Sequence, residues 1–268
     1  MSDPDFPCPD DLVAFAERLA DAAGVVAMRH FRTAVTVDEK PDLTPVTIAD
    51  RQAEAEMRRL IEQRYPEHGV IGEEAGRQGE ASRYVWVLDP IDGTRRFISG
   101  HPGFGTLIAL LEDGRPLLGV ISMPALGERW VGARGHATLF KNAAGVAEAR
   151  VRPCPSLDKA TLFATSPYMF IGPARPAFER VREAAKTPLF GGECHAYGLL
   201  ASGYVDLVIE ADMGLYDYLA QVPVIEGAGG IMTDWQGLPL GLGSGDQVLA
   251  AGDSACHKEA LRLLSGEP

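Results

Sequence analysis

Apolar positions recur at three- and four-residue intervals through residues 10–31, where Leu12, Phe15, Leu19 and Val26 mark one helical face behind an Asp start signal. The same period returns over 47–65, "TIADRQAEAEMRRLIEQRY", with Thr47 as N-cap. Between them "VTVDEK" reads as a short strand and "PDLTPV" as a loop. "GVIGEEAG" and "YVWVLDP" are compact apolar runs that read as buried strands, each ending in acid. Alternating runs in "FGTLIALLEDGRPLLGVISM" and "ERWVGARGHATLFKN", broken by glycine-containing turns, predict antiparallel hairpins. Beyond "VRPCPS" the style changes. Strand-like segments ("ATLFATS", "PLFGG", "VDLVIEA", "GIMTDW", "QVLAAGD") alternate with helical ones at 174–186, 194–203, 215–227 and 255–264. That pattern predicts a mixed α/β chain of two fused lobes, 1–150 built on an antiparallel sheet and 151–268 of layered α/β construction.

Composition narrows the partners. The chain has 268 residues, 46% hydrophobic and 23% charged, ordinary for a globular enzyme with a large core. A formal net charge of −12 argues against nucleic acid or an anionic membrane as partner. It also disfavours an anionic small substrate unless bound metal inverts the local field. Four scattered cysteines without a CxxC pair read as reduced thiols. The acidic, proline-rich start lacks the features of a signal sequence, and apolar stretches such as "TLIALL" are too short to span a bilayer, so the expected location is the cytoplasm.

The chemistry concentrates in "VLDPIDGTRRF", residues 87–97. Pro90 keeps Asp89 extended at a strand end. Ile91 and Asp92 are expected to turn the chain, so that Asp89, Asp92 and the Ile91 carbonyl aim into one space. Gly93 permits close backbone approach, and a helix opening at Thr94 offers an anion seat. Glu73 in "GEE" ends another strand, and Asp217 opens a helix far downstream. All-oxygen ligands without Cys or His point to Mg²⁺, and four carboxylates around two or three such ions leave net positive charge for a phosphate. A lone D-x-x-D is usually a solvated turn; the full string with separated acidic partners is what lifts the metal reading above it.

These residues resemble the inositol monophosphatase family of Mg²⁺-dependent, lithium-sensitive phosphatases. "IGEE", "VLDPIDGT" and "YDYLAQVPVIEGAGG" match its three signature regions in order, and the resemblance runs from about residue 10 to 265. It implies an αβαβα layered sandwich, a homodimer and a small phosphorylated metabolite as substrate. It further implies Glu73, Asp89, the Ile91 carbonyl, Asp92 and Asp217 as metal ligands and Gly93 and Thr94 as phosphate contacts. Thr94 with Glu73 would position an attacking water, and Asp50 would help to order it. Departures from the family pattern are Tyr216 before Asp217 in place of Trp, the pair Arg95-Arg96, and "ECHAYGLLASG" where a longer helix is usual.

"PGFGTLIALL", "CHAYGLLASGYVDLVIEADM" and "YDYLAQVPVIEGAGG" look most like the histidinol-phosphate phosphatase branch. Glu210, matching the family's leaving-group contact, and Glu193 are the carboxylates expected to meet the substrate's ammonium and imidazole. Inositol monophosphatase or another small phosphomonoester or nucleotide phosphatase of the same family is the alternative activity, and a non-catalytic metal- and phosphate-binding regulator the alternative of another class. An aspartyl-nucleophile phosphatase needs D-x-D, which the three-residue spacing lacks. Cys194 has no arginine-bearing phosphate loop after it, and no GxSxG elbow is present. His195, Arg95 and Arg96 have bland readings, as a helix-start residue and surface cations, beside roles at the substrate rim.

Overall fold

The computed structural model describes residues 7–34, 37–39 and 45–266. The expectations for the first six residues, for 35, 36 and 40 of the first strand and for 41–44 of the following loop lie outside the described residues. Helix α1 (Asp10–His30) forms where the period predicts it. Strand β1 (Val37–Glu39) pairs antiparallel with β2 (Pro45–Thr47), so the end of the expected loop is a strand. Helix α2 (Ile48–Arg64) starts at the expected N-cap: Ala49 N–H donates to Thr47 Oγ1 at 3.1 Å, and Asp50 accepts from Thr47 N–H at 2.8 Å.

The main sheet has eight strands in the order β10-β9-β8-β7-β6-β5-β3-β4. They are β3 (Gly69–Gly72), β4 (Gly76–Gln78), β5 (Tyr84–Asp92), β6 (Gly105–Glu112), β7 (Arg115–Met123), β8 (Glu128–Ala133), β9 (Leu139–Asn142) and β10 (Gly145–Glu148). A short helix, α3 (Thr94–Ile98), follows β5. All pairings are antiparallel except β3 with β5. Side chains of a strand alternate between faces, and both faces here are apolar. Trp86, Leu88, Ile108 and Leu110 pack with Phe15 and Leu19 of α1 and Met57 and Ile61 of α2. Val85, Val87, Leu107 and Ala109 face the opposite way into a second core.

The second sheet has five strands in the order β12-β11-β13-β15-β14, from β11 (Thr161–Ala164), β12 (Thr187–Phe190), β13 (Leu207–Glu210), β14 (Ile231–Thr233) and β15 (Val248–Ala251). Helices α5 (Glu193–Ala201), α6 (Leu215–Tyr218) and α7 (Gln221–Gly227) lie between the sheets, their Tyr197, Leu200, Tyr218, Val222 and Val224 sharing one core with Val87 and Val208. Helices α4 (Ala174–Ala184) and α8 (Ser254–Ser265) cover the far face through Phe178, Val181, Ala260 and Leu264. The layers therefore run αβαβα.

Two differences from expectation bear on the site. The predicted helix 215–227 is interrupted after Tyr218. Pro223 has no N–H for the carbonyl four residues back, and the Gln221 side chain takes over the Asp217 carbonyl, donating from Nε2 at 2.6 Å. Ile91 and Asp92 are not the turn: β5 runs on to Asp92 through a bulge, with Asp89 opposite Leu107 and Asp92 opposite Gly105. Pro90 and Ile91 on β5 thus face Thr106 alone on β6, which puts both aspartates on the same side of the sheet where an unbroken strand would set them apart. Pro90, lacking a donor, sits in the bulge, and its carbonyl accepts from Thr106 Oγ1 at 2.9 Å.

The middle helices press on bare backbone. A Cβ on Gly119 of β7 would lie 1.8 Å from the Ala220 carbonyl oxygen, and one on Gly132 of β8 2.3 Å from that of Pro223. Gly119→Ala is therefore expected to lower stability by at least about 2 kcal/mol, because α7 and the Asp217 segment before it must lift off the sheet. Urea unfolding measures it; a midpoint equal to wild type would show that this contact does not constrain the fold.

Candidate active site

The bulge, the turn after β3 and the start of α6 converge. Carboxylate oxygens of Asp89, Asp92 and Asp217 lie within 4.8 Å of one another, from residues as far apart in sequence as 89 and 217. Asp89 is buried, 1% exposed. Backbone donors restrain each group: Ile91 N–H to Asp89 Oδ1 at 3.0 Å, Cys194 N–H to Asp92 Oδ2 at 2.7 Å, Gly214 N–H to Asp217 Oδ2 at 2.6 Å. Glu73 stands beside the trio, bonded to Asp89 through its side chain.

Electrostatics give this crowd its meaning. Burial, then the charges of Glu73, Asp92 and Asp217, push the Asp89 carboxyl well above the usual range. Burial, then Asp92 and Glu73, do the same to Asp217, opposed by the Gly214 N–H. Burial raises Asp92, opposed by hydrogen bonding from Cys194 and by Arg96. Carboxyls held this close out of water cannot all ionise unless a cation joins them. The oxygen-only donor set fits a hard cation, so the residues present suit a metal ion.

Around the trio, Thr94 Oγ1 sits 3.1 Å from the Ile91 carbonyl and 3.3 Å from Asp50 Oδ1, linking α3 to the first turn of α2. Gly93 adopts φ +82°, a left-handed conformation that glycine reaches without strain, at the start of α3. The structure thus brings Asp50, Glu73, Asp89, Ile91, Asp92, Gly93, Thr94 and Asp217 together.

The remaining expected residues occupy the rim. Glu210 ends β13 fully buried, accepting from Thr165 N–H at 2.9 Å and from Tyr197 Oη at 2.9 Å. Burial pushes its carboxyl up to about 7 despite those donors. Glu193 forms an ion pair with Arg96 in which Arg96 Nε and Glu193 Oε2 meet outside hydrogen-bond alignment. Arg96 also donates to the Gly191 carbonyl and lies 3.0 Å from His101 Nδ1, so it is a clasp between α3 and α5, while Arg95 is an exposed surface cation. His195 points elsewhere, to Glu128 Oε2 at 3.1 Å. Cys194 is no nucleophile: burial and neighbouring carboxylates push its thiol well above the usual range.

Sequence reading missed Glu54, Tyr197 and the Arg96 clasp. Glu54 had a signal, since it falls on the apolar stripe of α2 with Ala53, Met57 and Ile61, where an acid needs a partner. Tyr197 had none, because only the fold sets its hydroxyl against Glu210.

A bulged strand, a glycine-started helix and clustered acids at one edge of an αβαβα sandwich are the layout of a phosphatase-type fold with an acidic site suited to a metal ion. The chain belongs to the inositol monophosphatase family, whose model matches residues 9–267. It is 48% identical to the chloroplastic bifunctional phosphatase IMPL2 of Arabidopsis thaliana, over 95% of this chain and 75% of that protein. It is 37% identical to the histidinol-phosphatase of Mycobacterium tuberculosis, over 96% and 98%. The solved structure of an inositol monophosphatase from Zymomonas mobilis superposes with a TM-score of 0.86 at 46% identity, covering 96% of this chain and 98% of that one.

The raised carboxyls set the pH response of the metal-free protein. Because the folded state holds these protons more tightly than the unfolded chain, their stabilising effect is complete below the unfolded value of about 4. It is lost as pH rises through the folded values, about 7 for Glu210. In chelator, the contribution of these carboxyls to Tm therefore falls as pH rises above about 4, so Asp89→Asn, which cannot ionise, should gain on wild type as pH rises. Scanning calorimetry of both proteins tests this; a constant Tm difference would refute it.

Proposed function

We propose that the protein is a Mg²⁺-dependent phosphate monoester hydrolase that prefers histidinol phosphate, releasing histidinol and inorganic phosphate. The observation that carries the hydrolase reading is the trio of buried Asp89 and half-buried Asp92 and Asp217, whose mutual repulsion calls for a divalent cation. Glu73, the three aspartates and the Ile91 carbonyl would hold the ions. Bound there, Mg²⁺ supplies positive charge to the phosphoryl oxygens and the departing oxygen and acidifies a water. Thr94, set between Asp50 and the Ile91 carbonyl, orients the attacking water together with Glu73. Gly93 and Thr94 offer backbone N–H groups to the phosphate, a role that the absence of a side chain on Gly93 favours. The chain needs no side-chain nucleophile, in keeping with the inert Cys194.

Two lines support histidinol phosphate over a neutral polyol. Relatives named histidinol-phosphatase align over nearly the whole chain. Glu210 lies near Asp92 and Asp217, where an ammonium would find a carboxylate. One observation favours inositol 1-phosphate instead: Glu193 already has Arg96 as partner, leaving fewer acids for a cationic leaving group. The four buried free thiols support a reducing, cytoplasmic setting.

Phosphate release should vanish in excess chelator and return with Mg²⁺. Asp89→Asn is expected to lower kcat/KM by more than about 100-fold, beyond the ordinary loss for an outer partner of a metal ligand. Thr94→Ala should lower kcat by roughly 100-fold, as for a lost proton-positioning group. Near-native turnover by either variant at saturating Mg²⁺ would contradict these roles for Asp89 and Thr94.

The substrate is decided by kcat/KM for histidinol phosphate against inositol 1-phosphate. The first should be larger, and Glu210→Gln should shrink the ratio by about 10-fold, the worth of a charge-assisted hydrogen bond. Equal or reversed efficiencies in the wild type would hand the site to the polyol.

A further inference from the structure

Glu54 belongs to no signature region, yet it is one of the most enclosed acids in the chain, 1% exposed. It sits one turn beyond Asp50 on the buried face of α2 and reaches the three-residue turn Glu73-Glu74-Ala75 between β3 and β4. Its Oε2 accepts from Glu74 N–H at 2.8 Å, and its Oε1 from Ala75 N–H at 3.1 Å and Arg58 Nε at 2.7 Å. Arg58, one helical turn on, also donates from Nη2 to the Gly76 carbonyl at 2.5 Å. The pair therefore grips the turn on both sides.

The fit leaves no slack. A Cβ on Gly72, the residue before Glu73, would lie 2.1 Å from Glu54 Oε1, so glycine there is what lets the carboxylate reach under the turn. The Glu73 N–H meanwhile donates to the Leu88 carbonyl at 3.1 Å, extending the β3–β5 ladder to the neighbour of Asp89. The backbone of Glu73 is thus held from one side by β5, and that of the next two residues from below by α2. Its side chain is left facing Asp89.

We propose that Glu54 is a positioning residue for metal binding. By taking two successive N–H groups of the turn, with Arg58 balancing its charge, it fixes the direction in which Glu73 presents its carboxylate to the Asp89–Asp92–Asp217 trio. An amide in its place has one acceptor oxygen for two N–H groups and turns an N–H₂ toward donors, so the turn loosens although the volume is unchanged. Partners of metal ligands act in this way, typically changing affinity by about 10–100-fold. The inference rests on the metal reading of the trio.

The test is Mg²⁺ binding by calorimetry, with the Mg²⁺-induced rise in Tm as a second readout, on wild type, Glu54→Gln, Gly72→Ala and Glu56→Gln. Glu56 is on the same helix but pairs with Arg59 in solvent, and serves as control. Glu54→Gln is expected to raise the Mg²⁺ Kd by about 10-fold or more, with much of kcat recovered at saturating Mg²⁺. Gly72→Ala, which displaces the carboxylate without altering it, should show the same split and decides the matter if Glu54→Gln does not fold. A Kd within about twofold of wild type, or a kcat loss at unchanged Kd, overturns the positioning role while the metal reading stands. Failure of the wild type to bind Mg²⁺ overturns both, and is distinguished by being seen before any substitution.

Discussion

Like charge held out of water is what the rest of this molecule is arranged around. At an effective dielectric of about 20, two ionised carboxylates at such spacing repel by roughly 3 kcal/mol, and Asp89, Asp92 and Asp217 form three such pairs within 4.8 Å. Each is steadied by backbone N–H donation, from Ile91, Cys194 and Gly214 respectively, so the bulge of β5, the start of α5 and the start of α6 are tied to the same point. Those bonds lessen the repulsion without cancelling it, because burial dominates every one of the three raised carboxyls.

The layers supply the rigidity that such a point needs. The trio stands at an edge of the core shared by the two sheets, and the middle helices reach it because Gly119 and Gly132 present bare backbone to α7. On the opposite side α2 enters twice. Asp50 meets the Thr94 hydroxyl at 3.3 Å, and Glu54 holds the turn that carries Glu73. A helix buried for its apolar stripe thus delivers two acids to the rear of the site.

The rim differs in kind. Glu210 is fixed by Tyr197 and Thr165 and carries a carboxyl poised at about 7, whereas Glu193 is engaged by Arg96 across the gap between α3 and α5. On the function proposed above, the trio and the Thr94 hydroxyl are indifferent to what the phosphate is attached to, and the choice of substrate would fall to this rim. Two of the departures that the resemblance brought out, Arg96 and the "ECHAYGLLASG" segment, fall in the same place, whereas Arg95 is exposed and Tyr216 lies on α6.

Local sequence was enough for the elements and for the acids. Periods of 3.6 and 2 marked α1, α2 and the hairpins, because amphipathic patterning is imposed by which face is buried and is written into each segment separately. The string Asp89–Thr94 stood out because proline, glycine and acid at that spacing leave few bland uses, and the fold brings its two aspartates together with Asp217. What the chain alone could not show depends on pairing between distant segments. The bulge that puts Asp89 and Asp92 on one face exists only in the register of β5 against β6. The break before Gln221 combines a proline that has no donor for the Leu219 carbonyl with a glutamine side chain that takes the Asp217 carbonyl. The parts played by Glu54, Tyr197 and Arg96 come from contacts 20, 13 and 95 residues away, where no period or motif reaches. A buried charge is legible in sequence only as an anomaly; its partner is chosen by the fold, because the fold alone decides which donors are shut away from water with it.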